Sequence, residues 1–194
     1  MAVSQDGKRI AFQQESTDAS VHLWTMPLEV NGEGLRAGKP ELFLQTAFSE
    51  GQPSFSPDGR WLAYTSNESG KWQVCVRAFP DRGAKWQISI SGGRQPLWSR
   101  GSRELFFHNP EGQIMVATYT ANRDAFLPDK PRLWSEARLP LVSLRPTYDL
   151  APDGKRVVAL MVADNPQALK NQNHLIVLLN FFDELSRRIP TDSR

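Results

Sequence analysis

Short apolar runs alternate with polar turn clusters along the chain. Trp61-Leu62-Ala63-Tyr64 is the clearest run, bounded by Pro57-Asp58-Gly59 before it and Asn67-Glu68-Ser69-Gly70 after it. Runs this short, rich in strand-forming residues and fenced by turn formers, predict β-strands joined by tight corners. At the first corner Pro57 presets φ for a type I turn and Asp58 suits the second position. Gly59 then takes the left-handed conformation that only a residue without Cβ adopts cheaply.

The pattern repeats. Copies begin at Ser4 (Ser4-Gln5-Asp6-Gly7-Lys8-Arg9-Ile10-Ala11-Phe12), Ser56 (Ser56-Pro57-Asp58-Gly59-Arg60-Trp61-Leu62-Ala63-Tyr64), Ser99 and Ala151. One column reads Ile10, Leu62, Leu105, Val157, and another reads Lys8, Arg60, Arg103, Lys155. A unit of roughly 40 to 50 residues holding four short strands has the size of a propeller blade. In the second copy the strands are expected over 53–56, 60–66, 72–79 and 85–89. In the third they are expected over 96–99, 104–108, 113–119 and 131–135. The first copy adds strands over 21–26 and 41–45, with a Gly-rich loop at Asn31-Gly32-Glu33-Gly34. Lys39-Pro40-Glu41-Leu42-Phe43 echoes Lys130-Pro131-Arg132-Leu133-Trp134, which places both on outer strands, where proline's missing N–H is tolerated.

The fold class is therefore all-β: a propeller section of four four-stranded blades, over about 1–46, 51–90, 94–136 and 145–180. The last copy reaches a third strand at Leu175–Leu179. A short carboxyl-terminal helix over 181–189 follows, capped by Asn180 and stopped by Pro190. Only Met1, Ala2 and Val3 stand where the first inner strand belongs, so four copies leave unpaired edges and the chain reads as the carboxyl-terminal part of a larger propeller.

Composition narrows the function classes. The chain has 194 residues, 40% hydrophobic and 23% charged, with a formal net charge of +2. Interspersed charges of both signs exclude a nucleic-acid footprint. No apolar segment is long enough to span a bilayer, and no signal peptide precedes Ser4. As written the chain reads as cytoplasmic; as a fragment of an exported or membrane-anchored protein it would read as periplasmic. The single Cys75 lies in an apolar run and is expected to be a buried small hydrophobe.

The Ser-Pro-Asp-Gly-Arg-x-φ-Ala-Tyr pattern resembles the TolB-like propeller repeat, which also occurs in the propellers of prolyl oligopeptidase-type peptidases. The segment from Gly92 to Phe107 and the ending Ile176-Val177-Leu178-Leu179-Asn180-Phe181-Phe182-Asp183-Glu184-Leu185 look like the propellers that follow bacterial serine/threonine kinase domains. That resemblance implies a six-bladed, non-catalytic module for interaction or sensing, with a protein or peptide partner. Blades or a kinase domain upstream of Met1 would complete it. The alternative is the gating propeller of a peptidase without its hydrolase domain. One departure concerns the third corner, where Gly101 and Ser102 replace Asp and Gly.

Catalytic chemistry finds no support in the spacing. There is no Gly-x-Ser-x-Gly elbow, and the phosphate-loop lookalike Gly34–Lys39 has Pro40 where a magnesium-binding hydroxyl is required. His22, His108 and His174 fall in different copies without metal-ligand spacing, so no metal or cofactor is implied. His22 and His174 are expected in strands and partly buried, and His108 exposed at a strand end. Asp6, Asp58 and Asp153 are expected to bond backbone N–H groups within their corners. The six tryptophans read as packing between blades, with a minority free to line a recognition surface. The residues entering the inner strands are Gln52, Arg94, Gln95 and Arg145, each close before a proline. They are the expected channel-mouth binding residues, and Arg94 and Arg145 would make that mouth anion-accepting.

Overall fold

Two of the four corners close with the same set of bonds. In the second, Gly59 N–H donates to Ser56 O at 2.9 Å and Ser56 N–H to Trp61 O at 2.9 Å. Ser56 Oγ donates to Asp58 Oδ1 at 2.6 Å and accepts from Trp61 N–H at 3.0 Å, while Arg60 N–H donates to the same carboxylate at 3.1 Å. Ser4 and Asp6 reproduce this set in the first corner. The Ser4 hydroxyl holds the Asp6 carboxyl below its ordinary range. Asp153 keeps the bond to Lys155 N–H at 3.0 Å, though Ala151 has no hydroxyl to add. The third corner solves the problem differently. Among the described residues the left-handed φ values fall elsewhere than Gly101 and Ser102. Ser102 N–H donates to Ser99 Oγ at 3.2 Å, and the Ser102 hydroxyl bonds Ser99 Oγ and Glu104, so Ser102 avoids the strained corner.

The computed structural model describes residues 1–160 apart from 18, 32–33, 123–124 and 141–146. The third strand expected at Leu175–Leu179, the helix over 181–189, His174 and Arg145 lie outside the described residues.

Each corner joins the first two strands of an antiparallel sheet. Sheet I contains β1 (Ala2–Val3), β2 (Arg9–Glu15), β3 (Val21–Asn31), β4 (Gly34–Ala37) and β5 (Glu41–Leu44). Sheet II contains β6 (Glu50–Phe55), β7 (Trp61–Ser66), β8 (Gln73–Ala78) and β9 (Lys85–Gln87). Sheet III contains β10 (Arg94–Trp98), β11 (Glu104–His108), β12 (Gln113–Ala121), β13 (Phe126–Pro128) and β14 (Arg132–Arg138). A final pair, β15 (Tyr148–Leu150) and β16 (Val157–Ala159), begins the fourth unit. On either side of the Gly-rich loop expected at 31–34, β3 runs on to Asn31 and β4 starts at Gly34 and folds back against it, with Leu28 facing Ala37. The elongated β12 does the same with β13, while β5 and β14 pair with the earlier halves of β3 and β12.

The period-two alternation of side chains decides what each sheet touches. In β7, Leu62 and Tyr64 face sheet I, where they meet Ala11, Leu23 and Leu44. Trp61 and Ala63 face sheet III, packing with Trp98, Leu105, Phe107 and Phe126. β7 is consequently buried along its whole length, which explains its unbroken apolar sequence. Sheet III repeats the arrangement, with Leu105 and Phe107 turned toward sheet II and Phe106 toward Tyr148 and the fourth unit. Cys75 is buried between sheets I and II, where desolvation pushes its thiol up to about 11 and keeps it protonated. Trp61 lies 5.5 Å from Trp86 and 5.2 Å from Phe126, ring to ring, so the II–III core is largely aromatic.

Candidate functional site

The end of the sheets opposite the corners is organised by a bulge in the inner strands β6 and β10. Gln52 and Gln95 both stand four residues before their corner serines and both take positive φ, 52° and 55°. The ladder slips there: Gly51 pairs with Thr65 and Ser54 with Ala63, while Arg94 pairs with His108 and Leu97 with Phe106. A non-glycine residue in this region costs on the order of 1 kcal/mol, which the surrounding bonds offset.

Those bonds run from unit to unit. Gln52 N–H donates to Gln13 Oε1 at 2.8 Å, and Gln95 N–H donates to Gln52 Oε1 at 3.0 Å. Thr147 then donates to Gln95 Oε1 through its N–H and its hydroxyl, both at 3.1 Å. The Tyr148 hydroxyl donates to Gln95 O at 2.9 Å. Gln52 and Gln95 therefore join successive sheets through their side-chain oxygens. Thr147, not Arg145, is the residue four before the fourth corner. Counting back from Ala151 would have found it, whereas aligning on Pro146 missed it.

Arg94 is placed differently. Its guanidinium stacks over the Trp72 ring at 4.4 Å from the centroid, and partial burial lowers its pKa. Trp72 thus lies outside the core clusters and carries a guanidinium, a distinction that spacing alone could not make. Around the pair lies a cavity of about 830 Å³ between sheets II and III, lined by Trp72, Gly92, Gly93, Arg94, His108 and Pro110, with Lys71 and Glu111 exposed beside them.

His108 corrects an expectation. Read as exposed, it is 1% exposed, because Tyr148 from the next unit stacks on it with ring centroids 4.5 Å apart. Neither ring nitrogen has a hydrogen-bond partner. Burial depresses its pKa to about 4, so the imidazole is neutral at pH 7, with one donor and one acceptor to offer.

The junction between sheets I and II is filled from within. His22 Nδ1 lies 3.6 Å from Glu50 Oε2, Ser20 Oγ lies 3.0 Å from His22 Nε2, and Thr46 Oγ1 donates to Glu50 Oε1 at 2.5 Å. Desolvation raises the Glu50 pKa above its ordinary value. Among the described residues no group of His, Cys, Asp and Glu gathers that could hold a metal ion.

Successive antiparallel sheets stacked face to face, each opened by a tight corner, have counterparts among solved structures. TolB from Acinetobacter baumannii superposes with a TM-score of 0.51 at 19% identity, over 84% of this chain and 37% of its own. The fold is that of a TolB-like β-propeller. A protein described as TolB from Agrobacterium tumefaciens aligns over 68% of this chain and 48% of its own, at 17% identity and a TM-score of 0.48. The chain spans less than half the length of either neighbour. No family model matches the sequence, and no curated protein matches it. Within the TolB-like fold, the bulged inner strands and the cavity share the loop end of the blades, while the Asp-Gly corners occupy the opposite end.

Proposed function

We propose that the chain is a non-catalytic scaffold that binds a protein or peptide at the loop end of its sheets, and that it serves as the sensory, carboxyl-terminal section of a longer signalling protein. One observation carries this reading: Arg94 stacks on Trp72 at the edge of a cavity, with no carboxylate among the described residues acting on it. A half-buried guanidinium stacked on an aromatic ring suits recognition better than bond-making. Phe48 and Ile90, 41% and 61% exposed on the connections that enter β6 and β10, extend the same end with apolar surface. The length of the neighbours supports reading blades 51–90 and 94–136 as interior members of a larger ring.

The test is cross-linking of the full chain to its captured partner, followed by mapping. Cross-links should concentrate on segments 67–72, 89–95 and 109–112, and Arg94→Glu with Arg145→Glu should weaken capture at least tenfold. Cross-links confined to the Asp-Gly corners, or capture unchanged by both reversals, would overturn the reading.

A further inference from the structure

Two groups that line the cavity between sheets II and III, Arg94 and His108, are held by ring contacts and make no side-chain hydrogen bond among the described residues. The Arg94 guanidinium has one face covered by Trp72, which leaves its N–H edges as the available surface. A guanidinium edge matches a planar two-oxygen acceptor, and a single cation balances a single negative charge. His108, across the strand pair from Arg94, lines the same cavity with both ring nitrogens unpartnered and the side chain buried. A neutral imidazole left this way lacks both an acceptor for its N–H and a donor for its lone pair, a costly state for a buried group. A peptide C=O or N–H can satisfy one of the two nitrogens, which point to opposite sides of the ring.

Neighbouring polar groups are already engaged. Asn109 accepts from Glu111 N–H and Gln113 N–H, and its amide donates to Gln113 Oε1. Gln95 holds Thr147. A dianionic phosphate would also have to draw on Lys71 and Ser91 at the exposed rim, where Glu111 opposes it in charge.

We infer that this cavity is a peptide-carboxylate site: Arg94 pairs with a carboxylate of a bound peptide while His108 engages an adjacent backbone amide. The inference rests on the scaffold reading above and specifies the chemistry of its ligand. The carboxylate is either the free end of a peptide or an Asp or Glu side chain, and the two are separable by experiment.

The full chain, labelled at histidine with ¹⁵N, is titrated with four probes: acetyl-Gly-Ala-Leu as the free acid, the same peptide as its carboxamide, acetyl-Gly-Asp-Leu carboxamide, and inorganic phosphate. The His108 ring resonances and Trp72 fluorescence should shift saturably with the free acid or with the Asp peptide. The carboxamide and phosphate should bind at least tenfold more weakly. Arg94→Gln should lower affinity for the active probe at least tenfold, and Arg94→Lys should restore only part of it. His108→Gln, which keeps a donor and an acceptor, should retain the Trp72 response better than His108→Phe. Unchanged melting of Arg94→Gln verifies that the fold survives. Equal binding of acid and carboxamide, preference for phosphate, or no shift at His108 with any probe overturns the inference. Cross-links at the loop end with silent titrations would sink the carboxylate site alone and leave the scaffold intact.

Discussion

The two complete junctions at the loop end are built from equivalent strands and finish differently. Between sheets I and II the protein supplies its own acid: Glu50 sits against His22 and Thr46, and Gln13 reaches the bulge at Gln52. Gly51 permits that reach, since a Cβ there would stand 2.9 Å from Gln13 Oε1. Between sheets II and III the matching position is Arg94, and its pairing partner is His108 where sheet II has Thr65. The first junction sets its acid against its own imidazole, 3.6 Å apart, although His22 Nδ1, Glu50 Oε2 and Gln52 Nε2 make no hydrogen bond among the described residues. The second keeps a cation and an imidazole without internal hydrogen-bonding partners, so the same backbone serves as structure at one seam and as a receptive surface at the next.

The comparison is broken most severely through the core. Trp61→Ala, on the face toward sheet III, should cost about 3–5 kcal/mol in denaturant unfolding, and Leu62→Ala, facing sheet I, about 2–5 kcal/mol. Only the Trp61 change should also blunt the His108 and Trp72 signals, because it loosens the cavity's own junction.

Acid and base should then separate the seams. His108 is depressed from 6.5 to about 4, so the unfolded state takes up the proton first as pH falls. Its stabilising contribution is complete above 6.5 and lost on descending toward 4, about 3 kcal/mol at ~1.4 kcal/mol per unit. His108→Gln should flatten that part of the stability profile. Glu50 has the opposite sign: its raised carboxyl favours the fold at low pH, and that contribution is lost as pH climbs from its ordinary 4.5 through the raised value. Glu50→Gln should gain on the native protein as pH rises, measured by urea midpoints from pH 4 to 8.

Smaller effects test the bulges. Gln95→Ala should cost about 1–3 kcal/mol, because Thr147 N–H loses its acceptor while the left-handed strain remains. Gln95→Gly loses the same bond but relieves φ, and should be about 1 kcal/mol the more stable of the two variants by thermal melting, the reverse of the usual order in strands. Smallest of all, Ser102→Gly should move stability by less than ~0.5 kcal/mol, since Ser102 bears no positive φ. A gain near 1 kcal/mol there would mean that the third corner is strained after all.

What was legible in the sequence is what is decided locally. The corner at Ser56-Pro57-Asp58-Gly59 contains its own donors, acceptors and glycine, so its geometry, its carboxylate bonds and the strands on either side follow from neighbouring residues. Cys75 and the apolar run through Tyr64 were readable for the same reason. The candidate site was readable only in part. Gln52, Arg94 and Gln95 stand at the end of the sheets away from the corners, but the bonds that use the two glutamines join residues 39 to 52 positions apart. His108 looked exposed because its cover, Tyr148, comes from the following unit. Trp72 was indistinguishable from the core tryptophans until Arg94 lay across it.

The glutamine relay has one further consequence. In three of its bonds a side-chain oxygen accepts from a main-chain amide of the unit downstream, which gives the array a head and a tail. A piece excised from one bulge to the next carries its own acceptor and exposes its own donor. Tandem copying of such a piece regenerates the seam with no new residue to invent, so propellers of this kind can lengthen by simple duplication.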